Sequence, residues 1–269
     1  MLSVHFRSTF WLKVQRQYLD SFLDIPHTRI FAVHEIGAGE FLDNERTIAY
    51  SGSHADGLDL LANEALRTAK DSDWLLFIDS DSFPIRPFSS YVEEAADFSA
   101  VQREENTGDP QPHPSFTLTR AGLFRELAAS WSPGFFWLDN YGMRRTDVGA
   151  GILQALEEKN HSWVRLNRLN SKDYHPLFFA VYGPRVSLPV VYHHGAGSRT
   201  GVNRAEKILR RKRPLYFRLQ KFLFYVRTVL LVARIGEPNL IFGGTQGTLA
   251  DRVFRFLVSR TQQFWLEVT

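Results

Sequence analysis

The chain has 269 residues, which is enough for one large domain or for a domain with an appendage. Its hydrophobic fraction of 44% excludes global disorder, and its lack of cysteine excludes disulfides, thiolate metal sites and cysteine nucleophiles. The formal net charge is only +3, but residues 204–221 carry eight Lys and Arg side chains against the single acid Glu206. The basic excess therefore belongs to the C-terminal third.

Apolar spacing predicts alternating strands and helices over the first 80 residues. We expect strands at Leu2–Phe6, Arg29–His34 and Trp74–Ile78, and helices at Trp11–Phe22 and Asp56–Lys70. Strands that alternate with helices favour a mostly parallel sheet with helices packed on it. The predicted fold class is therefore α/β.

The middle of the chain continues this pattern after a polar segment rich in proline and glycine. The pattern predicts an extended segment at Ser115–Arg120, helices at Ala121–Trp131 and Val148–Asn160, and a short strand at Val190–Tyr192. Beyond Thr200 the composition becomes basic and aromatic. We therefore expect a main domain over residues 1–200 and a helical C-terminal extension over residues 201–269.

Two carboxylates, Asp79 and Asp81, follow the predicted strand that ends at Ile78. Open α/β sheets bind their ligands beyond the carboxyl ends of the strands. Carboxylate oxygens suit Mg²⁺ or Mn²⁺, and these ions commonly carry phosphates. The motif predicts a site for a metal ion and a diphosphate group, with an ordinary acidic loop or helix cap as the alternative.

The elements around this motif resemble the nucleotide-sugar half of GT-A fold glycosyltransferases, especially family 2, over roughly the first two thirds of the chain. The resemblance is carried by Gly57, Ala62-Asn63, Ala69, Asp73 to Asp81, and Pro84, in that order. Two departures stand out. No Arg follows Ala62, and the first strand leads into His5-Phe6-Arg7-Ser8 instead of a Pro-Thr-Tyr-Asn-like turn.

The resemblance implies a Rossmann-like GT-A sheet with a cofactor of Mn²⁺ or Mg²⁺. In such a site Asp81 would bind the cation, and Asp79 would hold the ribose or a metal-bound water. The cation would neutralise the charge that builds up on the leaving diphosphate. On the donor side, Asp56 and Asn63 are further candidates for contact with the nucleotide sugar.

A second acidic position, Asp147, matches the place where family 2 enzymes open a helix with a catalytic carboxylate. The resemblance implies that Asp147 is the general base for the acceptor hydroxyl, although Thr146 stands where the family often has Glu. The alternative is that Thr146 or Asp147 only caps the helix, where an acid is favourable. Asp139 is the reserve candidate for the base.

The pair His193-His194 follows the last predicted strand, and a neutral imidazole can add a ligand to a Mn²⁺-type ion. Some GT-A enzymes use a late histidine in this way. Side chains alternate along a strand, so only one of the two should face the site. We predict His194, because it shares a face with Tyr192. The alternative is a surface pair before a turn. Arg199 is a candidate phosphate ligand.

The basic and aromatic residues of 210–235 favour either of two structures. The apolar run is too short for a membrane span and is interrupted by Arg227. The segment fits an amphipathic helix on an anionic membrane surface, or equally a helix packed on the main domain. No nucleic-acid recognition module is apparent, so we expect no nucleic-acid partner.

The resemblance predicts a metal-dependent, inverting glycosyltransferase that moves a sugar from a nucleotide-diphosphate-sugar donor to a hydroxyl of a glycan or lipid-linked acceptor. We expect this transfer to serve the synthesis of a glycan or a cell-surface polysaccharide. The absence of cysteine and of a charged leader with an apolar run favours a cytoplasmic location, with contact to the cytoplasmic membrane face as an option. The alternatives are a catalytically silent nucleotide- or glycan-binding module and a metal-dependent nucleotidyltransferase or phosphohydrolase.

Overall fold

The structure is a computed structural model. It describes residues 1–6, 10–37, 40–104, 108–168, 180–185, 188–194 and 214–242, together with Leu249, Arg252, Val253 and Phe256. The chain divides into two compact units. The first comprises Met1–Leu169 and Ala180–His193, and the second comprises Asn170–Phe179 and His194–Thr269. The predicted division between residues 200 and 201 lies outside the described residues.

The first unit is a mixed α/β structure built on a large sheet. The strands are β1 (Leu2–Phe6), β2 (Arg29–His34), β3 (Glu45–Ala49), β4 (Trp74–Asp79), β5 (Ser82–Pro84), β6 (Phe98–Gln102), β7 (Pro112–Arg120), β8 (Trp137–Leu138), β9 (Arg144–Arg145), β10 (Val164–Arg168), β11 (Ala180–Gly183) and β12 (Val191–His193). The helices are α1 (Phe10–Phe22), α2 (His54–Leu66), α3 (Ser89–Val92), α4 (Ala121–Leu127) and α5 (Ala150–Glu158).

Ten of the described strands form one sheet, in the order β3-β2-β1-β4-β7-β6-β10-β11-β12-β5. The strands β3, β2, β1 and β4 are parallel, while β7, β11 and β5 run antiparallel to their neighbours. Seven of these ten strands therefore run in one direction, which confirms the predicted α/β class with a mostly parallel sheet. The small pair β8–β9 lies outside this sheet.

Alternation along β4 fixes which side of the sheet each residue serves. Leu75 and Phe77 pack into the core beneath α2, α4 and α5, and Leu76 and Ile78 pack into the opposite core beneath α1 and α3. Asp79 is the next residue in the alternation after Phe77. The strand therefore delivers the Asp79 carboxylate to the α2 side of the sheet, at its carboxyl end.

Helix α2 begins two residues earlier than predicted. Ser53 and Asp56 form a capping box, in which each side chain bonds the backbone N–H of the other. This arrangement places His54 in the first turn of the helix, which runs to Leu66. Asp56 is thus occupied in starting the helix, and His54 enters the region near the end of β4.

Buried polar side chains join α1 to the turn between β4 and β5. The Gln15 amide nitrogen donates to the carbonyl oxygens of Asp79 and Ser82, at 2.8 and 2.9 Å. Its amide oxygen lies 3.1 Å from His5 Nε2. Because the Gln15 nitrogen is used by two carbonyls, its oxygen must accept from His5, which assigns the proton of neutral His5 to Nε2. This brace fixes the backbone that carries both carboxylates of the Asp79–Asp81 motif.

The described part of the second unit consists mainly of α6 (Pro214–Ile235) and the short α7 (Asn239–Phe242). Among the described residues, no helix has the length and apolar character needed to cross a bilayer.

Burial of His5 makes the stability of the fold depend on pH. Removal from water lowers the pKa of His5 from 6.5 to about 4, and the hydrogen bond with Gln15 offsets only part of this effect. The unfolded chain therefore binds this proton between pH 6.5 and 4 while the folded chain does not. The contribution of neutral His5 to the free energy of unfolding should be fully present above pH 6.5, and ~3 kcal/mol of that free energy should be lost by pH 4.

Urea unfolding at a series of pH values checks this prediction. His5→Phe should lose stability at neutral pH, because Gln15 loses its donor, and should show a shallower fall in unfolding free energy below pH 6.5. An unchanged pH slope in the variant would show that His5 is not the residue responsible.

Candidate metal centre

Three side chains at one edge of the sheet bring potential metal ligands together. Among the described residues, one carboxylate oxygen each from Asp79 and Asp81 and one ring nitrogen of His193 all lie within 4.8 Å of one another. His193 Nε2 is 3.6 Å from Asp81 Oδ1 and 3.9 Å from Asp79 Oδ2. Asp81 and His193 are buried, and Asp79 is nearly so.

The strand pairing explains why these residues meet although 112 positions separate Asp81 from His193. Strand β12 pairs antiparallel with β5, and His193 stands opposite Ser82. Asp81 is the residue before Ser82, and Asp79 ends β4. The carboxyl ends of β4 and β12 and the start of β5 therefore share one edge of the sheet, as expected for a ligand site of an open α/β structure.

The donor set fits a divalent cation. Two carboxylates and one imidazole nitrogen suit Mn²⁺ and related ions, and the carboxylates also suit Mg²⁺. Asp79 Oδ1 is buried, and its contact with His54 Nε2 at 3.3 Å is at the long end of the range for a hydrogen bond. A bound cation would add a stronger partner to this buried carboxylate.

The histidine in this cluster is His193, whereas the sequence analysis favoured His194. Alternation along the strand does let only one of the two histidines face the site, but the site lies on the face opposite to that of Tyr192. The ring of Tyr192 stacks on Phe83 at 4.9 Å, and Phe83 stacks on Tyr18 of α1. Tyr192 is therefore a core residue, and its neighbour His193 takes the opposite face.

His54 is a site residue that the sequence analysis missed. Its Nε2 lies 3.3 Å from Asp79 Oδ1, and 38% of its side chain remains exposed. Burial lowers the pKa of His54, but the negative charges of Asp79, Asp81 and Asp147 outweigh burial and raise it. A sequence signal was present: His54 follows the cap residue Ser53, at the start of a helix that comes after a parallel strand.

His113, near the start of β7, is a third histidine at this edge. Its ring centroid is 5.8 Å from that of His193. Burial lowers the pKa of His113 well below its usual value, and the positive charge of the nearby Arg103 lowers it further. His113 is therefore uncharged at neutral pH. Burial also opposes ionisation of Asp79, yet the charge of His54 and its hydrogen bond, the largest opposing causes, lower the pKa of Asp79 below the usual range. Asp79 therefore remains a carboxylate.

Asp147 lies outside the three-residue cluster, but its charge contributes to the raised pKa of His54, the neighbour of Asp79. Its side chain is exposed and accepts a hydrogen bond from the backbone of Val148 at 2.9 Å. Helix α5 starts after Gly149, which adopts a positive φ, and no described side chain caps it. The helix-cap alternative for Thr146 and Asp147 is therefore wrong.

The hydrogen bonds of Asp139 favour a structural role over that of the reserve base. One carboxylate oxygen accepts from the backbone N–H groups of Tyr141 and Met143, and the other accepts from Arg145 Nε. Burial opposes ionisation, but the bonds from Met143 and Arg145 outweigh it and lower the pKa of Asp139. Asp139 is a structural clamp in the turn between β8 and β9.

The remaining predicted donor-site residues are not gathered around the cluster. Asp56 is engaged with Ser53 in the capping box of α2. Asn63 is exposed and lies nine residues beyond His54, or ~14 Å along the helix axis at 1.5 Å per residue. Arg199 lies outside the described residues.

Comparison with known proteins adds no family to these observations. No family model matches the chain, and no curated protein matches it.

The adjacent histidines provide a matched test of the metal centre. His193→Ala should weaken Mn²⁺ binding by about tenfold or more, because it removes a ligand, whereas His194→Ala should leave the affinity unchanged. Isothermal titration with MnCl₂ measures both variants under identical conditions. Weaker binding in the His194 variant with normal binding in the His193 variant would contradict the assignment.

Proposed function

We propose that the chain is a metal-dependent glycosyltransferase that uses a nucleotide-diphosphate-sugar donor. The observation that carries the proposal is the cluster of Asp79, Asp81 and His193 at the carboxyl edge of a mostly parallel sheet. A divalent cation held there, Mn²⁺ or Mg²⁺, would supply Lewis-acid stabilisation of a leaving diphosphate. The neighbouring His54, whose Nε2 lies 3.3 Å from Asp79 Oδ1, would be a further donor to the same anion.

Aromatic side chains at the ends of the parallel strands favour a nucleotide as the donor. Phe6 ends β1, His34 ends β2 and Tyr50 follows β3. The rings of Phe6 and His34 are stacked with centroids 4.5 Å apart, and those of His34 and Tyr50 lie 5.5 Å apart. All three side chains are partly exposed. Stacking on such rings is a sequence-tolerant way to bind a nucleobase.

Helix α2 approaches this aromatic group closely at Gly57. A Cβ atom at position 57 would stand only 2.9 Å from the Tyr50 ring. The absence of a side chain therefore lets the helix pack against Tyr50 while His54, one turn earlier, reaches Asp79. One helix thus contacts both the aromatic group and Asp79 of the metal centre.

Asp147 is the best candidate for the residue that takes the proton from the acceptor hydroxyl. It is an exposed carboxylate, its charge reaches His54, and its competitor Asp139 is fully engaged. If Asp147 acts in line with the departing diphosphate, the anomeric centre inverts. A glycan or a lipid-linked acceptor would both present a suitable hydroxyl.

The reaction products separate this proposal from its alternatives. A glycosyltransferase releases nucleoside diphosphate, whereas a nucleotidyltransferase releases pyrophosphate and a phosphohydrolase releases inorganic phosphate. A silent binding module would bind nucleotide without turnover. Incubation with Mn²⁺ and either a nucleotide-diphosphate sugar or a nucleoside triphosphate, followed by analysis of these products, distinguishes all four possibilities, and Asp81→Asn should abolish turnover.

Donor binding should raise the melting temperature, because a ligand that binds only the folded chain stabilises it. We expect a thermal shift from nucleoside diphosphates with Mn²⁺ present and a much smaller one in chelator. Tyr50→Ala should weaken nucleotide affinity about tenfold through loss of stacking. The exposed Tyr225 gives the matched control, and equal affinity in Tyr50→Ala and Tyr225→Ala would exclude the aromatic group as the base site.

Removal of the proposed base should separate catalysis from binding. Asp147→Asn should reduce kcat for transfer by about a hundredfold or more while nucleotide and Mn²⁺ affinities stay near wild type. Asp43→Asn, which changes another exposed aspartate, is the control and should transfer normally. Transfer at the wild-type rate by the Asp147 variant would remove it from the mechanism.

A further inference from the structure

Exposed apolar side chains of the first unit are concentrated in one small feature. We call residues 136–145 the arm; it consists of Phe136 and the β8–β9 hairpin. Among the described residues of this unit, six large hydrophobic side chains are exposed, and the arm holds four of them: Phe136, Leu138, Tyr141 and Met143. Scattered exposed apolar residues are ordinary, but a group of this kind marks a contact surface.

The turn of the arm is held in a fixed shape. The strands pair Trp137 with Arg145 and Leu138 with Arg144, and the backbone between them is tied to the Asp139 carboxylate. Gly142 takes a φ of 71°, which closes the turn without strain. The arm therefore presents its apolar side chains in the free protein and does not need to order them on binding.

The charges of the arm suit an anionic surface. Its one carboxylate, Asp139, is buried and paired with Arg145, so the exposed charge is that of Arg144. The Arg144 guanidinium lies over the Phe136 ring, 3.8 Å from its centroid. Leucine, methionine, tyrosine and arginine together are typical of segments that enter the interfacial layer of a membrane.

The size of the arm argues against a protein as its partner. A specific protein interface buries about 800 Å² on each side and draws on twenty or more residues, which a ten-residue hairpin does not provide. An interfacial membrane contact needs only a few apolar side chains and a nearby cation.

Helix α6 of the second unit independently shows the same chemistry. It contains no acidic residue and exposes Arg218, Arg227 and Arg234. Seven large apolar side chains are also exposed along it: Leu215, Tyr216, Leu219, Phe222, Leu223, Tyr225 and Leu230. Anionic lipid complements both surfaces.

We propose that the arm inserts its apolar side chains into the interface of an anionic phospholipid bilayer. Asp147 follows the arm by two residues, so an inserted arm would hold Asp147 beside the bilayer. Where the proposed transferase function holds, this position selects an acceptor that is carried in the membrane, meaning the lipid-linked class.

The chain lacks cysteine, which allows a site-specific test of insertion with the full chain. Tyr141→Cys and, as control, Leu42→Cys are each labelled with an environment-sensitive NBD dye; both positions are exposed and apolar. Phosphatidylcholine vesicles containing phosphatidylglycerol should increase the emission at position 141 several-fold with a blue shift. The emission at position 42 should not change, and phosphatidylcholine alone should have little effect at either position.

A second variant guards against effects of the dye. Leu138→Ser/Met143→Ser should reduce partitioning into the same vesicles about tenfold, and Leu42→Ser/Val164→Ser should not. Nucleoside diphosphate affinity in both double variants should match wild type, so a failed insertion result remains distinct from a failed donor site.

Three outcomes would overturn the proposal. They are binding to vesicles without a change at position 141, no binding to anionic vesicles at all, or a concentration-dependent change at position 141 without vesicles. The last result would identify a second copy of the chain as the partner of the arm.

Discussion

Carboxylates packed close together inside a protein repel each other and lose hydration, so they stay ionised only where positive charge or hydrogen-bond donors compensate them. At the end of β4 this constraint falls on Asp79 and Asp81. The chain surrounds them with His54, His113 and His193, which come from three separated parts of the sequence. His113 remains uncharged, so His54 supplies the main positive charge beside Asp79. A divalent cation bound by Asp79, Asp81 and His193 would take over this compensation, which connects the electrostatics of this edge to the proposed chemistry.

The fold meets this constraint by holding the backbone of the acidic motif in place. The Gln15 amide nitrogen donates to the carbonyl oxygens of Asp79 and Ser82, and the Gln15 oxygen accepts a hydrogen bond from His5 of β1. From the other face, the capping box of α2 sets the position of His54. The Gln15–His5 pair is buried and the capping box is formed by neighbouring residues, so the metal ligands are already positioned in the folded chain. Preorganisation of this kind reduces the free energy needed to order ligands when an ion binds.

The sequence was sufficient for the elements with strong local signals. The strands at Leu2–Phe6 and Arg29–His34 were predicted correctly, because each combines an apolar run with a clear boundary. The histidine was misassigned, because the face of a three-residue strand depends on Tyr192 stacking on Phe83, a tertiary contact. His54 and the role of Asp139 were missed for the same reason. A carboxylate in a turn and one in a catalytic cleft look alike until their hydrogen-bond donors are known.

The most direct test of the central claim is pulsed electron paramagnetic resonance of Mn²⁺ bound to the protein in the presence of a nucleoside diphosphate. We predict a nitrogen coupling from one imidazole, which persists in His194→Ala and disappears in His193→Ala, together with a phosphorus coupling on the same ion. Mn²⁺ that binds without a coordinated nitrogen, or that shows no phosphorus coupling at saturating nucleotide, would contradict a metal–diphosphate site at Asp79, Asp81 and His193.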